Sequence, residues 1–255
     1  MYRLLVAIVL TILCNFNAIA ESVSFNIKKL SEMGSSSVNP SVSDDGCFVA
    51  FETGPDVKLY DCNTGTVTTI AQGSQPAVSG NGEYVVFCSN VALVAADTNS
   101  NVDVYRYKRR DGSFALVSIG FDGVSGDSTS FSPTISSTGR YVAYESWASN
   151  ITPGDTNNSG DIFLRDMEQP VIKNVMISVS DAEVQGYFAS RNPSISATGE
   201  RVAFHSLASN LVSDDNNGVA DVFVRDWVNG RTYRASESAS GAEANGASGT
   251  PAISG

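Results

Sequence analysis

A proline-centred segment recurs along this 255-residue chain, as NPSVSDDGCFVAF from Asn39, QPAVSGNGEYVVF from Gln75, SPTISSTGRYVAY from Ser132 and NPSISATGERVAF from Asn192. A further copy, TPAISG, starts at Thr250. The anchoring prolines are Pro40, Pro76, Pro133, Pro193 and Pro251, at spacings of 36, 57, 60 and 58 residues. Repeats of this length mark an array of supersecondary units, each of which buries its apolar surface only against its neighbours.

The fourth copy shows what one unit contains. Pro193 to Ser196 reads as a short strand, Ala197 to Glu200 as a tight turn and Arg201 to Ser206 as a second strand. A longer loop leads to a third strand, Asp221 to Asp226, and the Asn229-Gly230 turn leads to a fourth, from Arg231 to about Glu237. Four antiparallel strands per unit make the blade of a β-propeller. Val222 and Val224 point to one side and Phe223 to the other, as do Ile162 and Leu164 against Phe163, so both faces of a blade are apolar, as sandwiching between neighbours requires. The expected fold is all-β, a propeller of four-stranded antiparallel blades starting near residues 38, 74, 131 and 191, with a partial blade from 249.

The pattern Pro-x-Ile/Val-Ser, two residues, Gly, Val-Ala-Phe, followed by Asp-Val-Phe-Val-Arg-Asp, resembles the WD-repeat-like blades of TolB-type β-propellers, over about residues 38 to 255. The resemblance implies a scaffold fold. Propellers of this type serve as partner-binding scaffolds, as gating domains beside hydrolases and as frameworks of sugar lyases.

Residues 1–20 stand apart from the repeats. Arg3 gives a positive start, Leu4 to Leu13 form an apolar run, and Ala18-Ile19-Ala20 is a small-x-small cleavage site, so the stretch reads as a signal peptide cut after Ala20. Polar Asn15 and Asn17 interrupt it too early for a membrane span, and no later segment is apolar enough to be one. A periplasmic or secreted, non-spanning protein of residues 21–255 is expected. With 16 Lys and Arg against 27 Asp and Glu, the net charge of −11 argues against a nucleic-acid partner.

Part of that acidity repeats. The loop between the second and third strands carries Asp97, Asn99 and Asp103 in the second copy, Asp155, Asn157 and Asp161 in the third, and Asp215, Asn217 and Asp221 in the fourth, each as D-x-N-x-x-x-D. Calcium takes six to eight oxygen ligands, which alternating acidic and amide side chains in a tight loop converge on one point. These nine residues are candidate Ca²⁺ ligands; the competing reading is that Asp and Asn cap turn amides. In the first copy the loop shrinks to Thr53-Gly54-Pro55, yet Asp56 still opens the third strand, so that strand-entry Asp also has a structural duty.

In a compartment that permits disulfides, Cys47, Cys62 and Cys88 remain after the signal peptide. The second and third strands of the first blade run antiparallel about the Thr53-Gly54-Pro55 loop, which opposes Cys47 to Cys62 as a disulfide pair and leaves Cys88 single. Cys88 shares one column with Glu52, Glu145 and His205, too varied for a common catalytic role.

No nucleophile-elbow motif is present, and His205 is the sole histidine, which excludes multi-histidine metal sites and points to a protein without catalytic activity. The expected function is a scaffold that binds a protein or glycan partner through its loops, with calcium stiffening them. The alternatives are a fragment of a larger propeller enzyme, a glycan lyase or hydrolase, and a structural module of a surface protein. Val23 to Leu30 reads as a fourth strand preceding the first blade, and a ring left incomplete would expose strand edges and an apolar face, a route to self-association.

Overall fold

A computed structural model describes residues 36–169 and 173–254. The signal-peptide and Val23–Leu30 readings lie outside the described residues. Sixteen strands form four antiparallel sheets in chain order. Blade 1 is β1 (Ser37–Val42), β2 (Phe48–Thr53), β3 (Asp56–Asp61) and β4 (Thr66–Gln72); blade 2 is β5 (Ser74–Val78), β6 (Tyr84–Ser89), β7 (Asp103–Lys108) and β8 (Ser113–Leu116). Blade 3 is β9 (Ser130–Ile135), β10 (Tyr141–Ser146), β11 (Asp161–Asp166) and β12 (Asn174–Met176). Blade 4 is β13 (Ser190–Ile195), β14 (Arg201–Ser206), β15 (Asp221–Asp226) and β16 (Arg231–Arg234). No helix among the described residues is long and apolar enough to cross a membrane.

The repeating proline sits inside the first strand of each blade, not at its start. The residue before it, Asn39, Gln75, Ser132 or Asn192, takes φ of 50 to 54°, and Thr250 of the further copy takes 49°. Strand pairing shifts register across this point in all four blades, a bulge with ladder on both sides. In the fourth blade β13 therefore begins at Ser190, three residues before the position expected from Pro193, and β16 stops at Arg234.

The alternation of apolar side chains along each strand sorts them into two interfaces. Ile162 and Leu164 join Phe204 and Phe223 in the core between blades 3 and 4, whereas Phe163 joins Val86, Val104 and Tyr144 between blades 2 and 3. Phe48, Leu59, Phe87 and Tyr105 fill the space between blades 1 and 2. Each such ring, once buried, is worth several kcal/mol, about 3–5 for Phe→Ala. The turns between first and second strands hand on from blade to blade: Asp44 N donates to Gly80 O, Asn81 N to Ser137 O and Ser137 N to Ala197 O, each at 2.9 Å. A Cβ at Gly80 would stand 2.1 Å from the Asp44 carboxylate, so that side chain would have to move to admit one.

Cys47 and Cys62 are joined by a disulfide just beyond the β2–β3 ladder, with Cα atoms 4.8 Å apart. Cys88 is free and buried, and burial pushes its thiol up to about 12.

Candidate cation-binding loops

All loops between second and third strands, and all connections from a fourth strand to the next blade, emerge at one end of the sheets. There the three acidic loops share a frame. The strand-entry aspartate accepts a hydrogen bond from a serine of the following connection: Ser118 Oγ to Asp103 at 2.6 Å, Ser178 Oγ to Asp161 at 2.5 Å, and Ser236 Oγ to Asp221 at 2.5 Å. The same serine oxygens accept the amides of Val104, Ile162 and Val222. The loop asparagine donates through Nδ2 to a carbonyl of the connection, Gly126, Gly186 or Ala244, at 2.8 to 2.9 Å. These bonds tie each loop to the chain about 27 residues downstream, while amide caps are made separately, by Asn99 N to Asp97 Oδ1, Ser159 N to Asn157 Oδ1 and Val219 N to Asn217 Oδ1.

The frame differs in what faces the two aspartates. In blade 3, Gln185 Nε2 donates to Asp155 Oδ1 at 2.7 Å and to Asp161 Oδ2 at 2.8 Å, so a neutral amide bridges the carboxylates. In blade 2 the equivalent position is Ser125, whose Oγ accepts Thr98 N, and the hydroxyl of Tyr105 donates to Asp97 Oδ2. In blade 4 it is Glu243, paired with Glu237 as Gln185 is with Val179. Carboxylate oxygens of Asp215, Asp221 and Glu243 lie within 4.8 Å of one another.

Burial raises the carboxyls of Asp103, Asp161 and Asp215 to about 6, and a neighbouring carboxylate adds to each. Asp155 is also raised, chiefly by burial. Glu243 moves the other way, held down first by the amide of Asn216. Asp214 and Arg234, which the sequence pattern did not single out, complete the blade 4 cluster. Arg234 occupies the β16 position that is Leu116 in β8 and Met176 in β12, and it reaches Asp214 Oδ2 at 3.1 Å and Glu243 Oε1 at 3.3 Å. Comparing the connections Ile119–Ser125, Val179–Gln185 and Glu237–Glu243 as a second repeated motif would have found Ser125, Gln185 and Glu243.

In the column Glu52, Cys88, Glu145 and His205, the first three meet the amide of the left-handed residue of the next blade. Glu52 Oε1 accepts the amide of Gln75, the left-handed residue of the next blade, at 2.6 Å. Glu145 is raised to about 7 by burial, which outweighs the Asn192 amide it accepts and the charge of Arg191. His205 is held low by burial, with the Arg191 charge second. Trp227 is structural, its Nε1 donating to Gly199 O at 2.7 Å. Trp147 instead stands at the loop end, 41% exposed, beside Asp127, Ser149, Asp155 and Asn158, which with it line a cleft of about 270 Å³.

Solved structures share this architecture. TolB from Acinetobacter baumannii aligns with a TM-score of 0.51 and 18% identity over 78% of this chain and 43% of its own. The tricorn protease gives 0.52 and 11% over 82% and 23%, and the β-propeller domain of the Trilobed protease from Pyrococcus furiosus 0.52 and 9% over 79% and 57%. The chain thus spans less than two-thirds of the length of each. The sequence matches no protein-family model and no curated protein. Four sandwiched four-stranded sheets and these neighbours define a β-propeller. Its fold is of the TolB-like kind.

Proposed function

We propose that this β-propeller is a non-catalytic scaffold that binds a protein partner through the end of the sheets bearing the acidic loops. One observation carries the reading. Of the thirteen large apolar side chains exposed among the described residues, eight lie on that end: Val91, Phe121, Val124, Trp147, Val184, Tyr187, Phe188 and Leu207. Exposed apolar groups concentrated on one surface and rimmed by charge are the usual mark of an interaction site. The acidic rim favours a partner whose matching surface is basic.

A glycan is the second reading. It is supported by the exposed Trp147 indole beside Asp127, Ser149 and Asn158, an apolar platform among hydrogen-bonding groups. In both readings a hard cation stiffens the acidic loop end, and the signal-peptide reading of residues 1–20 supports a periplasmic or extracellular location.

The test compares wild type with Tyr187→Ser/Phe188→Ser and with Trp147→Ala, in a pull-down from the secreted or periplasmic fraction and on a glycan array. Protein capture lost in the double variant supports the first reading, and glycan binding lost only in Trp147→Ala supports the second. Capture unaffected by either would contradict both. Polysaccharide turnover abolished by His205→Ala would replace the scaffold with an enzyme.

A further inference from the structure

Three loops carry one motif, yet only the blade 4 loop gathers a third carboxylate. Glu243 stands where Gln185 stands in blade 3. There the Gln185 amide, the positive end of a dipole, lies within hydrogen-bond distance of both Asp155 and Asp161. Exchanging that donor for a carboxylate leaves Asp215 and Asp221 facing a third negative group instead of a hydrogen. Two further observations point to a ligand. Asp215 is 7% exposed, and its Oδ1 is buried with no hydrogen-bond partner among the described residues. Asn216 N, Asn217 N and Arg234 Nη1 all donate to Glu243 Oε1, and the Glu243 carboxyl lies against that of Asp215. Arg234 offsets part of the charge through Glu243, but a buried carboxylate oxygen left without a partner, as Asp215 Oδ1 is, is costly unless it is paired or coordinates a metal.

We infer that Asp215, Asp221 and Glu243 form a single calcium site in blade 4, and that in blade 3 the Gln185 amide takes the place of an ion. An all-oxygen, carboxylate-rich set suits a hard cation. Calcium is favoured over magnesium because it accepts six to eight oxygens in flexible geometry, whereas magnesium demands a near-ideal octahedron and keeps its water. Arg234 fits this arrangement: by holding Asp214 and the Oε1 edge of Glu243 it fixes the direction in which Glu243 presents its carboxylate. The inference rests on the loop-stiffening part of the proposed function, and it adds a consequence. Glu243 belongs to the connection leading into the further repeat copy, whose Ser248 N donates to Ala220 O at 2.7 Å and Ile253 N to Ser194 Oγ at 3.2 Å. An ion here clamps that connection onto blade 4.

The experiment is a calorimetric titration of the full chain, stripped with chelator, against Ca²⁺ and separately Mg²⁺, for wild type, Glu243→Gln and Asp215→Asn. Circular dichroism in chelator verifies that each variant is folded. The expected result is saturable Ca²⁺ binding, with affinity at least tenfold lower in both variants and at least tenfold weaker for Mg²⁺ in wild type. Should Glu243→Gln fail to fold, Asp215→Asn decides alone, since its amide keeps the volume of the carboxyl it replaces. Absence of Ca²⁺ binding by folded wild type, or binding that neither variant weakens, overturns the inference. Because the readout is the ion itself, a negative result here is distinct from failure to capture a partner.

Discussion

The acidic loops of blades 3 and 4 are flanked by second and third strands of the same length, have the same serine cap on the strand-entry aspartate and the same asparagine tether, and differ at the residue that faces the aspartate pair. In blade 3 that residue is Gln185, and the carboxylates are satisfied within the protein. In blade 4 it is Glu243, and an oxygen of Asp215 is left without a partner. A repeated motif therefore sets up a position for positive charge, and a single side chain from the next connection decides whether protein or solvent supplies it. Around Glu243 the chain has adjusted further, with Arg234 in place of an apolar residue and Asp214 in place of Gly154, and these two hold the deciding carboxylate in position.

The largest predicted effect breaks the comparison from the blade 3 side. Gln185→Glu removes the bridging donor and adds a third carboxylate, at a cost of roughly 2–3 kcal/mol in chelator. At roughly 2–4 °C per kcal/mol for a chain of this size, the melting temperature should fall by roughly 5–10 °C and recover in millimolar Ca²⁺. A loss that Ca²⁺ does not reverse would mean the blade 3 loop lacks the geometry to hold an ion.

The shared part of the frame should respond alike in both blades. Ser178→Ala and Ser236→Ala each delete a hydrogen bond to a buried carboxylate and the cap of a strand amide, so each should cost about 2 kcal/mol in denaturant unfolding. Costs that differ by more than about 1 kcal/mol would show that the two frames are not equivalent.

A smaller effect is a pH dependence that the loops have in common, since Asp103, Asp161 and Asp215 are all raised. Asp161 is raised from 3.8 to about 6, so the native state holds its proton more tightly than the unfolded chain. That contribution is complete below about pH 3.8 and is lost as pH rises through about 6. Melting temperature in chelator should therefore decline between pH 5 and 7, and Asp161→Asn should make the decline shallower. An unchanged slope would show that the Gln185 bridge already compensates the charge. Smallest is Glu243→Gln in chelator, which keeps the acceptor used by Asn216 and Asn217 while relieving repulsion; stability should rise by about 1 kcal/mol or less.

Much of the fold was legible in the sequence because one unit recurs: five prolines mark the blades, and the alternation around Phe163 and Phe223 gives both packing faces. The bulge was not, because a proline reads as the start of a strand, whereas here the left-handed residue before it lets pairing continue upstream to Ser190. The loop aspartates were legible as candidates from their spacing. What distinguishes them was hidden, since D-x-N-x-x-x-D is the same in all three loops and the deciding residue lies 30 positions beyond Asp155 in blade 3, in a connection of weak pattern. A linear motif reports the ligands that a loop can offer; the partner that completes or blocks the site comes from tertiary structure.

The central claim is that the residue at the Gln185 and Glu243 position sets the number of ions bound. Counting Ca²⁺ per chain by equilibrium dialysis of wild type and Gln185→Glu tests it directly. The account predicts one ion in wild type and two in the variant; equal counts in the two proteins, or none in wild type, would contradict it.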